Sequence, residues 1–188
     1  MPNYAPLDLI KRQAKALKKT SGQTLAFCQE QIAVDFGFSD FHEVTTVAKR
    51  DPDDVRLIRA AFGVEELSEV IYLPPVYSAL ESEFDDVMSG PMAETNAYDF
   101  IVEDLEVTAS VYDHATGVLT LDLSCQYIGA QDPDRPYSGT SFFLDAIIRL
   151  ARRDNQWTPI EEDPWLEIIS SERDDEREYR LHPEDFRV

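Results

Sequence analysis

The run LEVTASVYDHATGVLTLDLSCQY, residues 105–127, taken with FFLDAIIRL, residues 142–150, decides the fold. In the first run Leu105, Val107, Ala109 and Val111 alternate with Glu106, Thr108 and Ser110. Beyond the turn formers His114 to Gly117, Leu119, Leu121, Leu123, Cys125 and Tyr127 alternate with Thr120, Asp122, Ser124 and Gln126. A period of two is that of a strand with one buried face, and two such runs across a short turn predict a hairpin. Phe142, Leu144, Ala146, Ile148 and Leu150 repeat the pattern, so a third strand completes an antiparallel meander. Trp157 and Ile160 predict a short fourth strand, and Trp165 to Ile169 either pair at an edge or begin a helix. Upstream, Val76, Leu80, Phe84, Val87 and Met88 recur at helical spacing before Gly90 and Pro91, which predicts a helix over 75–89. Val70 to Leu73 fit a short strand or the end of a helix. A meander with helices on its apolar face is an α+β fold.

The first sixty residues read as three or four short helices. Leu7, Ile10, Ala14 and Leu17 form one stripe, with Lys11, Arg12, Lys15, Lys18 and Lys19 on the other faces and in the last turn, where cations suit the helix dipole. Thr20 with Gln23 predicts a capping-box start for a second helix carrying Leu25, Cys28, Ile32 and Phe36, with Gly37 just past its end. Ser39 predicts the cap of a third, through Phe41, Val44 and Val47 to about Asp51. Asp51, Pro52 and Asp54 open a fourth through Val55, Ile58 and Phe62 to Gly63. Through Ala14, Lys15, Leu17, Ala33, Gly37, Phe38, Phe41 and His42, about a quarter of the chain resembles a short helical module. That module occurs at the N-terminus of bacterial proteins labelled glyoxalase superfamily protein and of plasmid and mobile-element proteins. The pattern departs at Phe41, where the module usually has tryptophan, and around Thr24 to Cys28. The resemblance implies a helical unit and a bacterial setting, but no reaction. The remainder shows no repeated βαβββ unit with His and Glu ligands.

Charge separates the chain into regions. Its 188 residues carry 17 Lys and Arg against 37 Asp and Glu, a net charge of −20. That balance disfavours bulk attraction to nucleic acid or an anionic membrane. Residues 1–50 hold seven basic side chains against five acidic ones, and all five lysines lie at or before position 49. The expected organisation is a basic helical module over 1–63, an acidic α+β domain over 64–171 and a charged tail over 172–188, with Glu176 and Arg180 spaced as a helical ion pair. No apolar run approaches a membrane span, and Pro2, Tyr4 and Asp8 stand where a signal peptide would be basic and then greasy, so a cytoplasmic location is expected. Cys28 and Cys125 read as two separate buried thiols.

No phosphate loop, metalloprotease, nucleophile-elbow or paired-CxxC motif occurs, so no catalytic residue, cofactor or metal is expected. His42, His114 and His182 fall in a helix, a turn and the tail. Carboxylate pairs are plentiful, such as Glu103 with Asp104 and Glu161 to Asp163, and read as solvated faces. The loop from Gly129 to Gly139, with Asp132, Asp134, Arg135 and Tyr137, is longer than a hairpin needs. The nearly lysine-free acidic region is the strongest signal. Glu81, Glu83, Asp85 and Asp86 on the helix, with Asp104, Glu106, Asp122, Asp132, Asp134 and Asp145 on strands and loop, are the expected contacts to a basic protein partner. The function expected is that of a non-catalytic inhibitor or regulator, of mobile-element or anti-defence type, that binds the basic surface of a nucleic-acid-handling protein. One alternative is a cone-like ligand-binding or enzymatic domain using Tyr127, Phe143 and Trp157. Another is a DNA-binding regulator in which Lys11, Arg12, Lys15, Lys18 and Lys19 touch phosphates.

Overall fold

The computed structural model describes residues 3–153, 155–161 and 164–181. It is an α+β protein with an antiparallel sheet. Four helices come first: α1 (Pro6–Ser21), α2 (Leu25–Asp35), α3 (Phe41–Arg50) and α4 (Val55–Phe62). A 3-10 helix, Leu67–Tyr72, precedes α5 (Pro74–Val87) and the single-turn α6 (Ser89–Ala93). The strands are β1 (Ala97–Asp113), β2 (Val118–Gln131), β3 (Ser141–Arg153), β4 (Gln156–Pro159) and β5 (Leu166–Arg173), and α7 (Asp174–Leu181) follows. The sheet order is β1-β2-β3-β4, with β5 also paired to β3. The β5 pairing is antiparallel, runs from Phe142 opposite Arg173 to Ile148 opposite Leu166, and slips by one residue between Asp145 and Ala146.

The chain divides into two compact units, each assembled from separate stretches. The first comprises Met1–Leu73, Val111–Leu119 and Leu150–Thr158, and the second Pro74–Ser110, Thr120–Arg149 and Pro159–Val188.

In the first unit α1 buries Pro6, Leu9, Ile10 and Ala14. The stripe thus runs one residue off the expected one: Leu9 is in the core, whereas Leu7 and Leu17 are half-buried. The second helix starts four residues later than Thr20 predicts. The Thr20 hydroxyl donates back to the Leu17 carbonyl (3.0 Å), which keeps it in α1, and Gly22 ends that helix in the left-handed region at φ 71°. Thr24 caps α2 instead, accepting from the Phe27 amide at 3.2 Å. At its other end Gly37 (φ 82°) donates to Val34 and Phe38 donates to Ala33, the paired closure for which a glycine in this position is suited. Asp40 rather than Ser39 caps α3, by accepting from the Glu43 amide (2.7 Å). The Glu43 carboxylate reaches back to accept from the amide and hydroxyl of Ser39, the residue before the cap. Helix α4 starts at its Asp54 cap and ends at Gly63, as the sequence predicts. Phe62 closes this unit's core with the rings of Tyr112 (5.0 Å) and Trp157 (5.7 Å).

In the second unit the alternation on β2 and β3 is kept. Leu121, Leu123, Cys125 and Tyr127 are buried with Leu144, Ala146 and Ile148, each large side chain contributing about 2 kcal/mol. Helix α5 lays Val76, Leu80 and Phe84 on this unit's core, Phe84 lying 5.8 Å from the Tyr127 ring. Of the last two residues expected in that stripe, Met88 is buried and Val87 is exposed. Residues 70–72, expected as strand or helix end, take the 3-10 form. Strand β1 starts at Ala97, eight residues before its predicted start, and loses simple alternation. Asp99 (φ 51°) and Asp104 (φ 50°) adopt left-handed backbone inside it, and Ala109 and Val111 face solvent instead of the core. Glu172 and Arg173 belong to β5. No helix among the described residues is long and apolar enough to cross a membrane.

Candidate functional site

Strand parity sorts the second unit's side chains. With Leu121, Leu123 and Cys125 directed to the core, Asp122, Ser124 and Gln126 face outward on β2, and Phe143 and Asp145 do so on β3. The β5 register sets Glu172 opposite Phe143 and Ser170 opposite Asp145, extending the same face. Gln126 donates to Asp104 (2.8 Å), Ser170 to Asp145 (2.6 Å), and the Thr108 hydroxyl to the Asp122 carbonyl (3.2 Å). Asp104, Glu106, Asp122 and Asp145 are all exposed, and β2–β3 parity with the Gln126 hydrogen bond sets Asp104, Asp122 and Asp145 on one sheet face. A groove of about 390 Å³ lies in it, lined by Asp104, Ser124, Gln126, Phe143, Asp145, Glu172 and Arg177.

The charges of α7 meet this face. The Arg177 guanidinium stacks 3.9 Å from the Phe143 ring centre. Arg180 forms two hydrogen bonds to Glu172 (2.7 and 2.8 Å), which hold that carboxyl below the usual range. Arg180 therefore chooses Glu172 eight residues back, not the Glu176 that helical spacing predicts. Asp174, at the start of α7, accepts from the hydroxyls of Tyr137 (2.8 Å), Thr140 (3.1 Å) and Ser141 (3.0 Å) and from the Thr140 amide. Burial raises its pKa, but these hydrogen bonds outweigh burial and leave it lowered. The Tyr137 phenol is pushed up to about 12, first by burial and then by Asp174.

The other candidates are dispersed. On α5, Glu81, Asp85 and Asp86 are exposed, but Asp85 accepts a hydrogen bond from the Tyr127 hydroxyl, and the half-buried Glu83 accepts one from the Trp165 indole (3.0 Å). The 132–140 loop is tied down: Asp132 accepts from the Asp134 amide (3.0 Å) and pairs with Arg135 (3.4 Å), Asn96 donates to the Pro136 carbonyl (2.8 Å), and Asp134 is exposed. Among the basic residues of α1, Lys11 pairs with Asp8 (3.7 Å) and Arg12 donates to the Asn3 carbonyl (2.6 Å), while Lys15, Lys18 and Lys19 are exposed.

Tyr127 is in the second unit's core, Phe143 is on that unit's outward face, and Trp157 belongs to the first unit's aromatic cluster. His42 is exposed, His114 meets the Tyr112 ring at 5.2 Å, and His182 and the Glu162–Asp163 part of the acidic run lie outside the described residues. No group of three His, Cys, Asp or Glu able to hold a metal ion comes together among the described residues. Cys28 and Cys125 are buried free thiols. Burial, and then Asp145, pushes Cys125 up to about 11, which removes thiolate reactivity at neutral pH. Sequence reading passes over the Phe143–Arg177 stack and the Asp174 hub. The available signal was an aromatic at the outward parity of a strand. No family model matches the chain, and no curated protein or solved structure matches it.

Proposed function

We propose that this protein is a non-catalytic interaction protein of the cytoplasm, an inhibitor or regulator whose acidic unit binds the basic surface of a nucleic-acid-handling partner. One observation carries the reading. The second unit's stretches of sequence hold 24 Asp and Glu against six Arg and no Lys, and 37 consecutive residues, 74–110, hold nine carboxylates and no cation. Four of its arginines are engaged by carboxylates within the unit, at Asp132, Glu167, Asp175 and Glu172. Asp104, Glu106, Asp122 and Asp145 are exposed on the sheet, a rigid scaffold on which carboxylates can take the place of backbone phosphates against a basic groove. A mobile-element or anti-defence setting is part of the same proposal and rests on the likeness of the N-terminal helices to the bacterial module.

The test is capture from a bacterial lysate on the immobilised full chain, with mass spectrometry of what is retained. Nucleic-acid-handling proteins should be held at roughly 50 mM salt and released at roughly 500 mM, as the Debye length shortens severalfold. Duplex DNA should compete with them. A variant with Asp104→Asn, Glu106→Gln and Asp122→Asn should lose most of the retained material. Retention indifferent to salt, to DNA and to this variant would overturn the reading.

A further inference from the structure

Arg152, near the end of β3, is only 5% exposed. One Nη donates to the Ala61 carbonyl (3.2 Å), the guanidinium lies 5.3 Å from the Trp157 ring centre, and the buried Nε has no hydrogen-bond partner among the described residues. Burial pushes its pKa down, opposed only by the Tyr112 phenol. A buried cation left without a counter-charge is strongly destabilising. Here it occurs in a chain with more than two carboxylates for every cation, none of which pairs with it among the described residues.

Two more arginines, the half-buried Arg12 and the exposed Arg153, also pair with no carboxylate among the described residues. Arg12 and Arg153 stack on the Tyr4 ring at 4.9 and 5.0 Å. Arg12 donates to the Asn3 carbonyl and Arg153 to the carbonyls of Thr116 (3.1 Å) and Arg152 (2.9 Å). All three guanidinium groups are thus met by neutral acceptors and aromatic rings. Beside them is a cavity of about 300 Å³ lined by Tyr4, Leu9, Arg12, Ala16, Arg152 and Asn155. Its size is at the small end of ligand sites. The planar guanidinium fork matches a carboxylate or a phosphate, and a phosphate group, near −2 at neutral pH, answers two or three cations better than a monocarboxylate does.

We infer that this cavity of the first unit is a binding site for the phosphate group of a small molecule, with Arg152 at its buried wall and Arg12 at its rim. Tyr4, held by its amide to the His114 carbonyl (2.8 Å) and by the Tyr112 hydroxyl to its own carbonyl (3.0 Å), orients Arg12. The site is independent of the acidic face and stands whether or not that face binds a partner.

The experiment is isothermal titration of the full chain with inorganic phosphate, then glycerol phosphate, then acetate, at matched ionic strength, alongside Arg12→Gln and Arg152→Met. Saturable phosphate binding is expected, weakened tenfold or more in each variant, with acetate binding far more weakly. A tighter fit for glycerol phosphate assigns the site to a phosphate monoester, and a tighter fit for inorganic phosphate to the free ion. Methionine fills the arginine's volume without its charge, so Arg152→Met is expected to fold. Should circular dichroism show that it does not, the half-buried Arg12→Gln decides. The inference is overturned by three outcomes. One is no saturable heat up to about 10 mM phosphate, at which a site of about 1 mM Kd is roughly nine-tenths filled. The others are unchanged affinity in Arg12→Gln and acetate binding as tightly as phosphate.

Discussion

The two units treat charge in opposite ways. The stretches forming the first hold 13 carboxylates against 11 Lys and Arg, and those forming the second hold 24 against six. Near balance ought to favour pairing, yet among the described residues of the first unit only Lys11, Arg56 and Arg59 meet carboxylates. In the acidic unit four of five described arginines do, and the fifth stacks on Phe143. Where acids are in excess, any cation finds one nearby. Where the numbers are even, placement decides, and the first unit sets Arg12 and Arg153 on the Tyr4 ring and Arg152 beside Trp157, where no carboxylate among the described residues pairs with them. Net charge alone therefore describes the chain poorly: it conceals a local cluster of cations that no carboxylate among the described residues answers, inside a strongly acidic protein.

Breaking the second unit's core is expected to have the largest effect. Leu123, 2% exposed, changed to Asp should cost about 4 kcal/mol or more, because the new carboxylate is buried without a partner. Its neighbour Asp122, on the outward face, changed to Leu should stay within about 0.5 kcal/mol of the parent in the same urea titration. Equal costs would mean that strand parity does not separate core from acidic face.

Next in size is a pair of glycines in the first unit. Both Gly63 and Gly117 have left-handed backbone (φ 81° and 75°), but a Cβ on Gly117 would sit 2.6 Å from the Tyr4 ring, whereas one on Gly63 meets nothing within 4 Å. Gly117→Ala should cost about 2–3 kcal/mol and Gly63→Ala about 1 kcal/mol, since only the former must also displace a packed ring. If the two variants melt together, Tyr4 is not packed as described and the arginine cluster loses its centre.

Asp174 gives the pH dependence of the second unit. Its carboxyl is lowered in the folded chain, so it contributes stability that is present above the ordinary aspartate range, near about 4, and is lost as pH falls through the folded value. Asp174→Asn should cost about 1–2 kcal/mol at neutral pH and flatten the acid limb of stability against pH. An unchanged acid limb would remove Asp174 as the hub joining α7 to the 132–140 loop. The smallest effect is that of salt on the intact chain. Raising sodium chloride from roughly 50 to 500 mM should stabilise it by up to about 1 kcal/mol, because screened self-repulsion in the acidic unit outweighs weakened ion pairs.

The elements whose side-chain pattern is local were legible. The buried faces of β2 and β3 can be read from period alone, and α4 from Asp54 and Gly63. Capping was readable to within a few residues and no better, because neighbouring hydroxyls compete: Thr20 is spent on its own helix, and Asp40 outcompetes Ser39 for the Glu43 amide. The early start of β1 was hidden by two aspartates in left-handed backbone, which break the alternation that marks a strand. Of the candidate site, the shared outward face of Asp122 and Asp145 follows from strand parity, whereas that of Asp104, one of the two left-handed aspartates, does not. The engagement of Asp85 by Tyr127 and of Glu83 by Trp165 does not, since those partners are 42 and 82 residues away. Arg152 was invisible for a related reason. Next to Arg153 at a strand end it reads as surface, and only the fold brings Ala61 and Trp157 over it.

The first unit is discontinuous, and this has a consequence for how the chain is made. Its four helices are synthesised first, but Phe62 lacks Tyr112 and Trp157, its ring partners, until translation has passed residue 157. At about 5–20 residues per second the finished helices wait roughly 5–20 s on the ribosome with an apolar face uncovered. Slow codons between residues 73 and 157 would lengthen that interval and raise the demand for chaperones, although they alter no side chain in the folded protein.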